Sequence, residues 1–343
     1  MKLSWRGVLG LGLSAGGLWW ALHGVPWHDV VGRWRDANPW LVLATAVAAT
    51  AIFAVRAIRW RVILDPVAPN LPFGPLWRSV AIGMMVNNVL PARAGELARA
   101  YALTRERPEV SFSTSLASLV VDRMFDGASV LLLMAVAMLD PRFLGVHEIA
   151  GWSLQSAAVV VIGLTLFGFV ALYLLAGYPR QAIALYEAFA RRVAPAIEAR
   201  GTAILTSFAG GLSVLRSPGR FITVLFWAVL HWMINAFAFW LAFRALGIHA
   251  PYSAALFVQG IIVAFVSIPS TPGFAGVFEA GGKVGLAAYG IPASAAAAWA
   301  LTFHVVSYIP ITLIGAWYLT RAGITYREIR AIDGAGAPAG AGP

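Results

Sequence analysis

Two aspartates and an arginine lie inside a long apolar stretch of this 343-residue chain. Asp122, Arg123 and Asp126 fall within 112–139, a segment of the length and composition expected for a membrane-spanning helix. Counting about 1.5 Å per residue from a helix start near Ser111, Asp122 lies about 16 Å deep, close to the bilayer centre. Charges at that depth cost roughly 2.5–3.5 kcal/mol each. They indicate either an ion-paired lock, in which Arg123 reaches Asp126 one turn away, or a polar site for a headgroup or a proton.

Two other apolar runs are interrupted by proline and glycine followed by a carboxylate. The first interruption spans 87–96 and the second spans 268–279. Broken backbone in a bilayer must have its polar groups satisfied by protein or by a water-filled cavity, and two breaks in corresponding halves of a chain point to a transport site. The amides of Asn87 and Asn88 are suited to satisfying the first break. The residues expected to form the breaks are Asn88, Pro91, Gly95, Pro272, Gly273 and Gly276.

Charged side chains flank both breaks. Arg93, Glu96 and Arg99 surround the first break, while Glu279 and Lys283 follow the second with the spacing of a helical ion pair. A structural ion pair is therefore one interpretation. The other is a substrate site, in which the arginines hold an anionic headgroup because a guanidinium matches phosphate, and the acids balance them or carry protons.

Together these groups form a candidate binding site that is predicted to be balanced in charge. Four cations face four acids before any substrate binds, so no surplus acid is present to bind a strongly cationic lipid. The ligand is therefore predicted to carry a phosphate or to be zwitterionic. Neutral polycyclic lipids are the exception, because an apolar groove could hold them without these charged residues. The candidate residues are Arg93, Glu96, Arg99, Asp122, Arg123, Asp126, Glu279 and Lys283.

Membrane helices must position these groups, because 60% of the residues are hydrophobic and 12% are charged. The chain has no cysteine, its histidines lack metal-ligand spacing, and no nucleotide or hydrolase motif occurs. We therefore expect no metal, no cofactor and no catalytic residue. The net charge of +10 suits anionic headgroups better than nucleic acid, for which no motif is present.

The predicted spans are about 6–23, 40–58, 112–139, 152–176, 220–245 and 292–320, with broken hairpins at 74–104 and 252–290.

The distribution of arginine and lysine predicts the orientation of these segments. The basic stretches at 2–6, 56–78, 93–107, 180–220 and 321–330 are placed in the cytoplasm, together with both termini. The fold is then an all-α polytopic helix bundle with two re-entrant hairpins in an inverted repeat, although hairpins that cross the membrane fully would satisfy the same charges. We expect one transmembrane domain over 1–333, with repeat halves at about 40–139 and 220–320, an amphipathic stretch at 180–215 that lies on the membrane or packs on the bundle, and a disordered tail at 334–343.

In order along the chain, these motifs resemble the transmembrane region of lysylphosphatidylglycerol synthases, a flippase-like family. The resemblance covers about residues 5–325 and is carried by Asn88-x-Leu90-Pro91-x-Arg93-x-Gly95-Glu96-x-x-Arg99, Asp122-Arg123-x-x-Asp126-Gly127 and Thr271-Pro272-Gly273-x-x-Gly276-x-x-Glu279. One departure is Phe274-Ala275, where the family often has glycine at the first position. The resemblance implies movement of lipids between leaflets, by a transport unit without the aminoacyl-transferase domain.

The function expected from the sequence is that of a lipid transporter or flippase in a bacterial cytoplasmic (inner) membrane. Its partners would be membrane lipids, such as a phospholipid, a lipid-linked sugar or a hopanoid, and possibly a lipid-synthesis enzyme. Two alternatives stay open. One is an intramembrane enzyme that modifies a lipid headgroup, with Asp122 and Asp126 as acid and base. The other is a scaffold for a lipid-synthesis enzyme that transports nothing.

Overall fold

The computed structural model describes residues 5–90, 94–143, 148–149, 152–193, 198, 202, 217–268, 270–323 and 328. Pro91 and Arg93, the tail at 334–343 and most of 194–216 lie outside the described residues.

Helices account for nearly all of the regular structure in the described ranges. They are α1 Trp5–Leu22, α2 Trp27–Arg35, α3 Pro39–Leu64, α4 Phe73–Val89, α5 Gly95–Glu106, α6 Phe112–Ala137, α7 Leu154–Gly177, α8 Pro179–Val193, α9 Pro218–Ala245, α10 Tyr252–Val266, α11 Val277–Ala287 and α12 Ala293–Arg321. A 3₁₀ turn at Pro272–Phe274 precedes α11, and Glu148–Ile149 pairs with Trp152–Ser153 as a two-residue antiparallel ladder. The all-α class predicted from the sequence is confirmed.

Local sequence signals set the starts of the long helices. The Asn38 side chain accepts hydrogen bonds from the N–H groups of Trp40 and Leu41, and Pro39 occupies the first turn of α3. Ser111 caps α6 in the same way through the Thr114 N–H. Within the described residues, α3, α9 and α12 are long and apolar enough to cross a membrane. Helix α6 has 26 residues, as α3 does, but it carries three charged residues. These charges can be buried in a membrane only where other groups pair with them.

The two halves of the bundle pack in matched pairs. If α3, α4, α5 and α6 are matched in order with α9, α10, α11 and α12, the contact of α4 with α12 corresponds to that of α10 with α6. The contacts of α3 with α4, α6 and α12 likewise correspond to those of α9 with α10, α12 and α6. Helices α3 and α9 pack against each other at the centre. This pattern is the one that a repeat with internal two-fold symmetry would give.

Each broken hairpin closes where glycine lets two backbones approach. In the first, a Cβ on Gly95 would lie 2.1 Å from the Gly83 carbonyl oxygen, so α4 and α5 are in backbone contact there. In the second, a Cβ on Gly285 of α11 would lie 3.1 Å from the Val258 Cα of α10. Space therefore requires glycine at Gly95, whereas a methyl group at Gly285 would be a tight contact.

Replacing Gly95 with alanine is expected to destabilise the fold, because the new methyl group must push α5 away from α4. Overpacking of this kind typically costs about 1–3 kcal/mol. Gly127→Ala on α6 is the matched control, since a Cβ there meets nothing within 4 Å. Thermal unfolding in detergent should show a lower midpoint for Gly95→Ala and no decrease for Gly127→Ala. Equal midpoints for the two variants would contradict the close crossing.

The predicted helix ends agree with the structure to within a few residues, with one consequential exception. The second span was predicted to end at about 58, and the basic stretch at 56–78 was placed in the cytoplasm. Helix α3 instead continues to Leu64, and both Arg56 and Arg59 are buried. The amphipathic segment begins as α8, which packs on α7 and contributes Ala182 and Ile183 to the apolar cluster around Phe125.

Candidate functional site: a buried arginine–aspartate cluster

Asp122 and Asp126 of α6 contact two arginines of α3 in the centre of the bundle. Arg59 donates from Nε to the Asp122 Oδ1 at 2.7 Å, and Arg56 donates from Nη2 to the Asp126 Oδ2 at 3.0 Å. The Arg59 Nη1 lies 2.8 Å from the Asp126 Oδ1, an ion-pair distance at angles that are not those of a hydrogen bond. Arg59 and Asp122 are fully buried. The two helices are thus joined by a desolvated ion-pair network.

A third arginine, Arg99 of α5, also contacts the cluster, but two of its guanidinium nitrogens have no hydrogen-bond partner among the described residues. Arg99 places Nη1 3.3 Å from the Asp122 Oδ2 and stacks 4.0 Å over the Trp60 ring. Its Nε and Nη2 are buried and meet no hydrogen-bond acceptor among the described residues. Buried donors without partners are costly, so this position suits an additional acceptor.

Arg123 forms the outer edge of the cluster. It contacts the Asp126 Oδ2 at 3.4 Å, as the helical spacing predicted, and also pairs with Glu96 of α5. The Arg123 side chain is 46% exposed, which makes it the accessible member of the group. On the other side, the Trp232 indole of α9 donates to the Asp126 Oδ1 at 3.1 Å. Four helices therefore contribute to one polar centre.

The cluster carries a surplus of positive charge. Counted over the residues that the structure describes, four cations, Arg56, Arg59, Arg99 and Arg123, face three anions, Asp122, Asp126 and Glu96, which leaves one positive charge. The predicted balance of charge was wrong, because it counted the residues near the breaks and omitted the two arginines of α3. A signal was present in the sequence: arginines three residues apart share a face of a helix that also carries a continuous apolar run.

A small cavity of about 10 Å³ is lined in part by Arg99. Space of that size accommodates about one water molecule or one ligand oxygen. The cavity lies between the cluster and the first hairpin, and its polar lining is Arg56, Asn87, Glu96, Arg99 and Arg123. The site thus provides positive charge, unpartnered donors and space at one place, which is the chemistry that binds an oxyanion.

The amides before the first break contact its surroundings, as the sequence predicted for Asn87. The Asn87 Oδ1 accepts the Gly95 N–H at 2.9 Å, which supports the start of α5. Asn88 instead donates from Nδ2 to the Thr312 Oγ1 at 2.7 Å, and its carbonyl accepts the Tyr308 hydroxyl. The end of α4, just before the first break, is therefore hydrogen-bonded to α12.

The second break forms a separate polar site. Gly273 and Gly276 adopt φ values of 72° and 89°, a left-handed conformation that glycine tolerates. Glu279 accepts the Gly276 N–H at 2.6 Å and contacts the His304 Nδ1 at 2.6 Å. The His304 Nε2 lies 2.7 Å from the Gly273 carbonyl oxygen.

The predicted partner of Glu279 was wrong. Lys283 donates to the Trp20 carbonyl of α1 at 2.8 Å and lies over the Trp20 ring. His304 takes the position at the Glu279 carboxylate, although it is 25 residues away in sequence. The structure thus divides the predicted site residues into two groups, one around Asp122 and one around Glu279.

Comparison with known proteins agrees with this architecture. Residues 7–315 match the family model described as the lysylphosphatidylglycerol synthase transmembrane region. The chain belongs to this family. It is a multi-pass membrane protein, and the members of the family are associated with lipid or lipid-linked substrates in membranes.

The full-length relatives are archaeal membrane proteins. One UPF0104 membrane protein of Methanothermobacter thermautotrophicus is 26% identical over 315 residues, covering 84% of this chain and 85% of the relative. A second from the same organism is 22% identical over 316 residues, with 85% and 86% covered. The glycosyltransferase AglD of Haloferax volcanii is 37% identical over 98 residues, which are 29% of this chain and 16% of AglD. That last similarity is confined to a segment.

Proposed function

We propose that this protein moves a phosphate-bearing lipid or lipid-linked headgroup between the leaflets of a cytoplasmic membrane. The observation that carries the proposal is the buried cluster with one surplus positive charge, where Arg99 has two donor nitrogens without acceptors beside a cavity. A lipid phosphate would supply both the missing negative charge and the missing acceptors. Arg56, Arg99 and Arg123 would bind it, and Arg93 is proposed to assist from the adjoining break.

Glu96, Asp122 and Asp126 are proposed to hold the arginines in place rather than to react. Because both aspartates are engaged by arginine, neither is free to act as a general acid or base. This arrangement favours transport over the alternative of an intramembrane enzyme.

The matched packing of the two halves supports an inverted repeat whose breaks lie near the bilayer midplane. In such repeats, each half opens toward one side, and the substrate site lies between them. We propose that Asn88, Pro91, Gly95, Pro272, Gly273 and Gly276 form the two breaks and that the hairpins α4–α5 and α10–α11 are re-entrant. Both termini would then be cytoplasmic.

Cysteine labelling tests this topology, and the absence of native cysteine keeps the background low. Cysteines introduced at 65 and 106 should both react with a membrane-impermeant maleimide from the cytoplasmic side. Cysteines at the exposed position 249 and at 291 should both react from the opposite side. Reaction of 65 and 106 from opposite sides would contradict the re-entrant hairpin and the inverted repeat.

Reconstitution tests the function itself. Proteoliposomes containing fluorescent phospholipids should show protein-dependent exchange between leaflets, measured by dithionite quenching, while mass spectrometry finds the headgroup unchanged. Conversion of the headgroup would identify an enzyme. A failure of both readouts, together with capture of a lipid-synthesis enzyme, would support the scaffold alternative and contradict the proposed transport.

A further inference from the structure

The pair Glu279–His304 has a hydrogen-bond geometry that requires a proton. The Gly273 carbonyl can only accept, so the Nε2 of His304 at 2.7 Å must carry a hydrogen. The Glu279 Oε2 already accepts the Gly276 N–H, which favours the ionised carboxylate. The Oε1 of the same carboxylate at 2.6 Å then requires a hydrogen on the Nδ1 as well. The pair in this arrangement therefore holds one proton more than a neutral imidazole beside a carboxylate would.

These bonds hold the second break in one conformation. The His304 ring joins α12 to the Gly273 carbonyl, and the Glu279 carboxyl group joins α11 to the Gly276 N–H, so the turn is fixed at both ends. Helix α1 closes over the turn, where the Ser14 hydroxyl accepts the Thr271 N–H at 2.8 Å. Removal of one proton would turn one of the two imidazole bonds into a contact between two acceptors, which would release that side of the turn.

Among the described residues, the other titratable groups beside the second break are bound to partners elsewhere. Helix α12 adds Tyr308, whose hydroxyl donates to the Asn88 carbonyl of α4, and α11 adds Lys283, which is bound to the Trp20 carbonyl of α1. Helix α1 contributes the neutral Ser14 hydroxyl to the turn, α4 contributes the Asn88 backbone carbonyl through Tyr308, and α10 carries no charged residue.

We propose that Glu279 and His304 form a proton-binding site that locks the second break, and that release of its proton frees the break during transport. The coupling role rests on the proposed transport function, whereas proton binding and locking are properties of the folded chain. His304 and Tyr308 lie one turn apart on α12 and contact the second and first breaks respectively. A change at the proton site can therefore reach the first hairpin through a single helix.

The first measurement is ¹⁵N NMR of the protein with labelled histidine, using His304→Gln to assign the signal. We expect a ring protonated at both nitrogens at neutral pH that loses a proton as the pH rises. In Glu279→Gln, the neutral amide can accept the Gly276 N–H and donate to the Nδ1, so the ring should be singly protonated at neutral pH. A neutral His304 ring in the wild-type protein at neutral pH would overturn the proposal.

The second measurement reports the lock through a single cysteine at Ser270→Cys, beside the turn. Its maleimide labelling rate is divided by that of Ala293→Cys, at the exposed start of α12, to remove the pH dependence of the thiol reaction. We expect this ratio to rise roughly fivefold to tenfold when the proton is released, as for the loss of one hydrogen bond. The ratio should stay low at every pH in Glu279→Gln, which preserves both bonds without a titrating proton.

A ratio that does not change with pH in the wild-type chain, or that rises equally in Glu279→Gln, would overturn the lock. Because Gln has the size of Glu and keeps the bond to Gly276, Glu279→Gln tests the proposal even if His304→Gln fails to fold. Neither measurement depends on lipid movement. An absence of leaflet exchange would therefore count against the proposed function, and a failure of these two readouts would count against the proton site.

Discussion

Asp122→Asn should lower the free energy of unfolding by about 3–5 kcal/mol, the typical cost of removing one partner from a buried ion pair. The asparagine has nearly the shape of the aspartate, so the loss comes from charge. Three arginines lie within 4 Å of Asp122, and Arg59 and Arg99 would be left with too little opposing charge. Reversible unfolding in mixed detergent and SDS micelles measures the difference.

Glu109→Gln is the matched control for Asp122→Asn. Glu109 pairs with Arg107 at 2.7 Å, but both side chains are well exposed, so its removal should cost about 0–1 kcal/mol. If Asp122→Asn is as stable as this control, the α3–α6 network is hydrated rather than dry, and its role in holding the bundle together would be refuted.

Arg99→Gln should slow the movement of a phosphate-bearing lipid roughly 10- to 100-fold while leaving the protein folded. The estimate follows from losing charge-assisted hydrogen bonds of about 1.5–3 kcal/mol, at about 1.4 kcal/mol per factor of ten. Folding should tolerate the change better than Asp122→Asn, because it removes the surplus charge and the unpartnered donors. Leaflet exchange in proteoliposomes, at equal amounts of reconstituted protein, gives the rate.

Arg105→Gln on the same helix provides the comparison for Arg99→Gln. Arg105 is exposed and pairs with Glu328 at 3.2 Å, outside the buried cluster. Its replacement should leave the exchange rate near that of the wild-type chain. An equal reduction in both variants would indicate a general effect of positive charge at the membrane surface rather than a phosphate site at Arg99.

Hydropathy and helix periodicity predicted the helices well because each long helix is defined by its own composition. Local signals such as the Asn38 cap and the proline and glycine residues set the ends and the breaks. The short α2 was not predicted, since nine residues with three basic side chains give no membrane signal. The order of features along the chain predicted an inverted repeat, which stays a prediction because residue identity between the halves is at background level.

The partners within the site were beyond prediction because they join distant parts of the chain. Arg59 and Asp122 are 63 residues apart, and arginines near a helix end read as interfacial until a buried partner is known. Spacing alone favoured Lys283 as the partner of Glu279, yet the turn at Gly276 directs the carboxylate toward His304. In both cases, tertiary geometry prevailed over local spacing.

The central claim is that a lipid phosphate passes the buried arginine cluster. The most direct test compares two fluorescent lipids with the same acyl chains in the same proteoliposomes, one with a phosphate headgroup and one with an uncharged sugar. The account predicts faster leaflet exchange of the phosphate lipid, with the difference abolished by Arg99→Gln. Exchange of the sugar lipid at the same rate, unchanged by Arg99→Gln, would contradict it.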